Sequence, residues 1–305
     1  MDEMTLLREF RSDAPAAAPA AVREQALGRP STRRRPALRL AVAAALAVTG
    51  GGVAATVLTP SSPSAATVLG HAAQYLLEAD PGPTPTPHQW VYTLSSTVVD
   101  YGDQAHDEPT PWASWVRMDG DGYAEIDPET NRLHVQTGDF AAPIGTPEQW
   151  SAVGRSLPED PQGVLQALRD DPLFTSDAPT QPDRDFDEVS SMLLTQGWLA
   201  PSTVARLYQA LATIPGVGID DDAPADLAGR PVLSVTFDGD ISIGRRGDRW
   251  ELLLDPQSFQ VLGLRGTAGQ DYHDDKTGLD TPEGTVWYQY LVYRTVLVDH
   301  AGERS

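Results

Sequence analysis

The residue types that most often carry enzyme or metal chemistry are absent from this sequence or unsuitably spaced. The chain has no cysteine, which excludes disulfide bonds, thiolate zinc sites and thiol nucleophiles. Its six histidines include no pair at the helical spacing of a metal site. Its one lysine, Lys276, follows an aspartate, so the glycine and lysine of a phosphate-binding loop are missing. We therefore expect no cofactor, no metal site and no catalytic residues, and we predict that the protein is not an enzyme.

Two short motifs invite a catalytic or metal-binding interpretation but fail on spacing. The stretch GDISIG at residues 239–244 does not place Ser242 as a nucleophile elbow would, and we predict a strand edge there. The stretch DGDG at residues 119–122 resembles part of a calcium-binding loop. With Gly122 at the sixth position, Arg117 would stand at the first ligand position and Pro128 at that of the bidentate glutamate. We therefore predict a β-turn there and solvated loops at the acidic runs 220–222 and 274–275.

The charge of the chain is strongly acidic and unevenly distributed. The sequence has 22 Lys and Arg against 43 Asp and Glu, a formal net charge of −21. A surplus of acid on this scale repels phosphate, so we expect no nucleic-acid partner. Residues 1–39 hold eight arginines and five acidic residues, a net charge of +3, which leaves −24 for residues 40–305.

An uncharged segment separates these two parts. Residues 40–58 read LAVAAALAVTGGGVAATVL, and at about 1.5 Å per residue they extend over roughly 28 Å, near the thickness of a hydrocarbon core. A buried soluble helix is the alternative, but it needs no arginines on one side only. The positive-inside rule keeps the arginine-rich side in the cytoplasm. We predict a single-pass cell-membrane protein with a transmembrane helix over 40–58, a Ser/Pro juncture over 59–66 and an extracytoplasmic domain over 67–305, oriented by Arg33, Arg34, Arg35 and Arg39.

A cleavable signal peptide is the competing interpretation of this segment. Ser64, Ala65 and Ala66 resemble a small-residue cleavage site, but the charged region before the apolar segment is far longer than is usual. We favour an uncleaved signal-anchor. Both interpretations place residues 67–305 outside the cytoplasm.

The N-terminal arm, residues 1–39, is mostly an Ala/Pro/Arg stretch that we expect to be disordered. Only its start has a pattern: Met4, Leu7 and Phe10 recur at helical spacing and predict a short amphipathic helix over residues 2–11. A helix of this length is unstable alone. We interpret these three residues as a docking site for a cytoplasmic or membrane-bound regulatory protein or for the membrane surface; a frayed leader is the alternative.

The extracytoplasmic part reads as one α+β domain. Alternating apolar and polar residues predict strands over 89–99, 112–118, 122–126, 132–136, 232–237, 249–254, 260–265 and 285–297. Apolar residues at helical spacing predict helices over 65–79, from Pro161 with Asp160 as N-cap, from Asp185 or Asp187, and from Ser202. This order is typical of helices packed on one face of an antiparallel sheet. We expect most of the seven tryptophans, all in this part, to pack in the core; the alternative is that some line a cavity for a lipid or peptide tail.

Five separated segments resemble a family of actinobacterial single-pass membrane proteins without assigned function. They are MDEMTLLREFRSDAP, SLPEDPQGVLQALRDD, LYQALATIPGV followed by DLAGRP, ELLLDPQSFQVLG and LVDHAGERS. Many members of that family are encoded beside extracytoplasmic-function sigma factors, so the resemblance implies a link to sigma-factor signalling. The exported part is similar in pattern to lipoprotein-carrier-like domains, which implies a curved antiparallel sheet that cradles helices around an apolar cavity.

Two function classes follow. The first is a non-enzymatic, membrane-anchored sensor or interaction protein whose arm communicates with a regulatory protein. The second is an exported carrier or binding domain for an apolar ligand such as a lipid or lipopeptide.

Overall fold

The computed structural model of the chain describes residues 64–80, 84–99, 109–127, 130–138, 145–274 and 279–305. The arm, the predicted membrane span and most of the juncture lie outside these residues, as do Met4, Leu7, Phe10 and the four orienting arginines. None of the helices in the described ranges has the length and hydropathy of a membrane span. Residues 64–305 belong to one compact unit of the chain.

The domain is built on a large antiparallel sheet. Nine strands form it: β1 (Trp90–Val99), β2 (Trp112–Arg117), β3 (Gly122–Ile126), β4 (Leu133–Thr137), β5 (Val217–Asp220), β6 (Leu233–Asp238), β7 (Arg249–Leu254), β8 (Val261–Thr267) and β11 (Val286–Val298). Two short strands, β9 (Tyr272–Asp274) and β10 (Leu279–Thr281), pair separately. The order across the large sheet is β4-β3-β2-β1-β11-β8-β7-β6-β5. The last strand in the chain therefore joins the two groups of strands.

Five α-helices accompany the sheet in the described ranges, most of them with a side-chain cap at the N-terminus. Thr146 and Thr180 each form a capping box, and Ser64 and Asp160 cap through one hydrogen bond. The helices are α1 (Ala65–Leu77), α2 (Pro147–Ser156), α3 (Pro161–Asp170), α4 (Gln181–Leu194) and α5 (Pro201–Leu211), with a 3₁₀ helix at Gln196–Trp198. These elements confirm the prediction of an α+β domain with helices and an antiparallel sheet.

The predicted first residues of two helices were wrong. Helix α4 begins at Gln181, because Thr180 and Asp183 cap it reciprocally, and not at Asp185 or Asp187. Helix α5 begins at Pro201, and Ala200 precedes it without a side-chain cap. Helix α2 and strand β5 had no sequence prediction.

The helices pack on one face of the sheet. Val235, Leu252 and Leu264 lie opposite one another on β6, β7 and β8, and all three are buried in the main core. Phe186 of α4 stacks on Phe237 of β6, with ring centroids 4.5 Å apart. Each helix contributes a buried side chain to this core: Leu69, Trp150, Val164, Phe186 and Leu207 in order. The register of the strands therefore fixes which face receives the helices.

The sheet face opposite the helices has buried residues in two places. Between β7 and β8, Arg265 makes two hydrogen bonds to Glu251 in a buried ion pair. Burial raises the pKa of Glu251, but the hydrogen bonds and charge of Arg265 outweigh it and hold the pKa below its usual value. Near β1 and β2, a second, smaller core surrounds Trp115, whose indole N–H donates to the carbonyl of Glu303 at 2.6 Å. The C-terminal residues therefore lie over this second core.

Candidate functional site

The sheet divides between β8 and β11. The ladder that joins these strands ends at the pair Leu291 and Gly263. Just beyond it, each strand has one extra residue relative to its other neighbour: Tyr293 in β11 and Leu262 in β8. Such bulges bend a strand and end its regular pairing. We call this divergence the fork and define it by Leu262, Gly263, Leu291 and Tyr293.

A single arginine connects the two arms of the fork. Arg230, in the loop between β5 and β6, donates to the carbonyl of Val292 at 2.7 Å and to that of Leu262 at 3.1 Å. Its third donor binds Asp226 at 2.6 Å, and the Asp226 side chain is fully buried. The guanidinium also lies 5.2 Å from the centre of the Tyr293 ring. Arg230 therefore satisfies the carbonyls that the ladder leaves behind.

Gly263 closes the last rung of the ladder before the fork. Its φ is +155°, a conformation that side chains disfavour. A β carbon at this position would overlap the backbone oxygen of Tyr290. Because that obstacle is backbone and cannot rotate away, the close approach of β8 and β11 at this point requires glycine.

A cavity of about 260 Å³ lies at the fork. One part of its wall is aliphatic and comes from three helices and β8. The other part comes from the diverging strands and includes Val292, Tyr293, Arg294 and Thr295. The aliphatic lining residues are Leu76, Leu194, Leu199, Val204, Val261 and Leu262. Side chains of both sheet faces therefore meet here: Thr295 lies opposite Thr93 on the helix-packed face, and Arg294 lies opposite Leu94 on the other.

The 3₁₀ helix forms one side of the cavity. Gly197 packs so closely on β11 that an added β carbon would overlap the side-chain methyl of Thr295. The turn follows directly after α4, whose Leu194 lines the same cavity. The chain between α4 and α5 is thus held against β11 and forms one side of the cavity entrance.

The cavity wall differs from the rest of this acidic chain in charge. Its lining residues include no aspartate or glutamate. They include one arginine, Arg294, which is exposed and has no ion-pair or hydrogen-bond partner among the residues that the structure describes. Arg230, by comparison, uses all of its donor nitrogens at the fork. Arg294 is therefore available to a ligand.

The stretch around Ser242 is a turn between β6 and β7 and not the strand edge that the sequence predicted. The Ser242 hydroxyl donates to Asp187, which also accepts from Ser176 at 2.7 Å. In the described ranges the Ser242 hydroxyl also contacts the Ser176 hydroxyl, and its backbone N–H donates to the Asp187 carboxylate, so no histidine there activates it. The arrangement ties the turn to α4.

The acidic turn at residues 119–122 is neutralised within the hairpin. Arg117 binds both Asp119 and Asp121, and Gly120 has the positive φ of a tight turn. The Arg117 hydrogen bond holds the pKa of Asp119 below its usual value, against the opposing effect of burial. No group of three metal-ligating side chains occurs in the described part of the chain. The turn predicted from the sequence is confirmed.

A buried carboxyl on α4 has an unusual environment. Glu188 is 7% exposed, and its Oε2 has no hydrogen-bond partner. Burial, reinforced by the charges of Asp185 and Asp187, raises the pKa of Glu188 to about 7. This group lies outside the lining of the fork cavity, and we treat it as a feature of stability.

The fork was missed from the sequence, but part of it was present among the quoted segments. DLAGRP contains both Asp226 and Arg230, and LVDHAGERS contains Glu303, which covers the second core. No local sequence pattern shows that Arg230 binds the carbonyls of two distant strands or that the carbonyl of Glu303 binds Trp115. Comparison of the sequence with protein-family models and with curated proteins gives no match.

Proposed function

We propose that residues 64–305 are the extracytoplasmic binding domain of a single-pass membrane protein, and that the fork cavity holds the apolar part of a ligand. The proposed function is non-enzymatic. The observation that carries it is a cavity at a break in the antiparallel sheet, with one aliphatic wall from the helices and β8 and one polar wall from the diverging strands.

The break in the sheet gives up hydrogen bonds between β8 and β11, and this loss supports a function for the break. Here each of the two diverging strands has a bulge against its other neighbour, and Arg230, held by the buried Asp226, satisfies the carbonyls beyond the end of the ladder. An aliphatic wall with a few polar groups at one side is typical of sites that bind small apolar molecules.

The size of the cavity limits the ligand. One methylene needs roughly the 30 Å³ that a water molecule occupies in the liquid, so the cavity suits one chain of about eight to ten carbons. Burial of such a chain contributes about 0.8 kcal/mol for each methylene. We propose a molecule with one alkyl or acyl tail; the lipoprotein-carrier-like resemblance and the sheet curvature that it implies agree with this class.

The membrane topology remains part of this proposal. The start of α1 supports the uncleaved signal-anchor. Ser64 caps this helix by accepting from the backbone N–H of Thr67, and cleavage after Ala66 would remove the cap. A mass measurement on the membrane-bound protein tests it, because a mature chain that starts near Thr67 would contradict the anchor.

A second candidate is the sensor or interaction protein, in which the arm reports ligand binding to a cytoplasmic or membrane-bound regulatory protein. The helical spacing of Met4, Leu7 and Phe10 favours it, as does the sigma-factor association that the resemblance implies. We expect replacement of these three residues by serine to abolish capture of a regulatory protein while ligand binding persists. Unchanged capture would contradict a docking role.

Photo-crosslinking tests the binding function in the intact chain. The full-length protein is placed in phosphatidylcholine nanodiscs with a diazirine-bearing dodecanol, irradiated, and digested for mass spectrometry. We expect the label on peptides that contain Leu199, Val204 or Val261, and competition by unlabelled dodecanol. A label spread over the surface of the domain, or found only in residues 40–58, would contradict the proposal.

A further inference from the structure

The charge around the fork indicates more about the ligand than its apolar tail. In a chain of net charge −21, the cavity wall has no carboxylate and one arginine. Arg294 is exposed, and nothing in the described ranges pairs with it. An unpaired guanidinium at the wall of a partly apolar cavity attracts anions, because low-dielectric walls strengthen its field.

A second arginine acts on the same part of β1 as Arg294. Arg304, in the C-terminal tail, and Arg294, on β11, both act on Tyr92 of β1. Burial raises the pKa of Tyr92, and the charges of Arg304 and Arg294 oppose that rise. The strand register places Arg294 on the Tyr92 face of the sheet, the face away from the helices, because it lies opposite Leu94, two residues along β1 from Tyr92. Arg304 is also without an ion-pair partner in the described ranges.

The two ends of the cavity thus differ in chemistry. Its aliphatic wall lies toward the helices, where Leu199 and Val204 are buried. Its arginine lies on β11, opposite Leu94, on the other face of the sheet. A ligand that follows the fork would bury its tail among the helices and leave its head beside Arg294.

We propose that the ligand is an amphiphile with one alkyl or acyl tail and an anionic head, and that Arg294 binds the head. This rests on the proposed binding function and adds the class of head group. A carboxylate and a phosphate monoester share the required chemistry, since both accept paired hydrogen bonds from a guanidinium. A free fatty acid would supply the first and a lysophospholipid-type head the second.

The test is a competition against the dodecanol photo-label with the full-length protein in nanodiscs. The competitors share a dodecyl chain and differ in their heads: dodecanoate, dodecyl phosphate, dodecyl maltoside and dodecyltrimethylammonium. We expect at least one of the two anionic competitors to displace the label at a concentration about fivefold lower than the maltoside, the effect of one partly exposed ion pair. The cationic competitor should be the weakest. If dodecanoate competes more strongly than dodecyl phosphate, the natural head group is a carboxylate; the reverse order indicates a phosphate.

Two variants assign the effect to one side chain. Arg294→Gln should bring the anionic and neutral competitors to within about twofold of each other, while dodecanol still labels the cavity. Arg246→Gln, which removes an exposed arginine outside the cavity lining, should keep the wild-type preference. Equal competition by all heads in the wild type, or an anionic preference that survives Arg294→Gln, would overturn the assignment but leave the binding function intact. Absence of cavity labelling with dodecanol itself would overturn the binding function.

Discussion

Arg230 donates a hydrogen bond to the carbonyl of Val292, 2.7 Å away, where β11 leaves β8. The same guanidinium neutralises Asp226, whose side chain is fully buried. One residue therefore fills a gap in the ladder and compensates a buried charge. Its loss would leave the two carbonyls without these hydrogen bonds and the buried carboxylate without its counter-charge.

We predict that Arg230→Lys destabilises the domain although it keeps the positive charge. A lysine has one ammonium and cannot reach two carbonyls and a carboxylate in the planar arrangement of a guanidinium. The expected loss is about 3 kcal/mol, or roughly 8 °C in Tm for a domain of this size. Tryptophan fluorescence during heating measures it in the full-length chain, since all seven tryptophans lie after residue 89. Arg246→Lys is the matched control; equal Tm values for both variants would contradict the role of Arg230.

The contact between Gly197 and Thr295 gives a second prediction. Gly197→Ala should destabilise the domain by about 2 kcal/mol, because the new methyl overlaps the Thr295 side chain and pushes the 3₁₀ helix away from β11. In a Thr295→Gly background the same change should cost less than about 0.5 kcal/mol, because both the overlapping methyl and the overlapping β carbon of residue 295 are gone. Thermal melting of the four proteins in this cycle measures the coupling. Additive effects would show that the two residues do not meet as described.

Glu188 makes stability depend on pH in the neutral range. Its folded pKa of about 7 lies above the usual value for glutamate, so a charged Glu188 is disfavoured in the folded state. The folded protein therefore binds this proton more tightly than the unfolded chain, and the penalty is largest above about pH 7 and disappears toward about pH 4.5. At about pH 8 it amounts to about 3 kcal/mol.

We predict that Glu188→Gln raises Tm at about pH 8 and leaves it nearly unchanged at about pH 5, because the amide removes the charge and keeps the shape. Melting curves of variant and wild type across this range measure the difference. Glu159→Gln, at an exposed glutamate, is the control and should shift the curves equally at all pH values. A stabilisation that does not change with pH would contradict the raised pKa.

The sequence predicted the elements of the fold better than their connections. The hairpin of β2 and β3 was confirmed because alternation and a glycine turn are local signals. The start of α4 was wrong because Asp185 binds Arg169 from the neighbouring helix, and Thr180 takes the capping position. Asp185 and Asp187 are both suitable N-cap residues by type, and the sequence alone does not show at which residue the helix begins.

The fork lies beyond local patterns for a physical reason. Tyr293 is an extra residue only relative to β1, some two hundred positions earlier in the chain. Arg230 reaches carbonyls that two separate strands supply. Their residues alternate as ordinary strands do, so periodicity does not reveal where two strands separate. The quoted segment DLAGRP contained the bridging arginine, but only the sheet register gives it a partner.

The most direct test is to enlarge one side chain that lines the cavity and to compare it with the same enlargement of a matched side chain outside the cavity. Leu194 lines the fork cavity, whereas Leu173 does not; both are half-buried and pack against the main core. Leu194→Trp and Leu173→Trp are each placed in nanodiscs at full length, and dodecanol photo-labelling is measured after confirming equal melting. We predict that Leu194→Trp lowers labelling of the cavity peptides about tenfold and that Leu173→Trp leaves it at the wild-type level. Equal labelling of the two variants would contradict a ligand site at the fork.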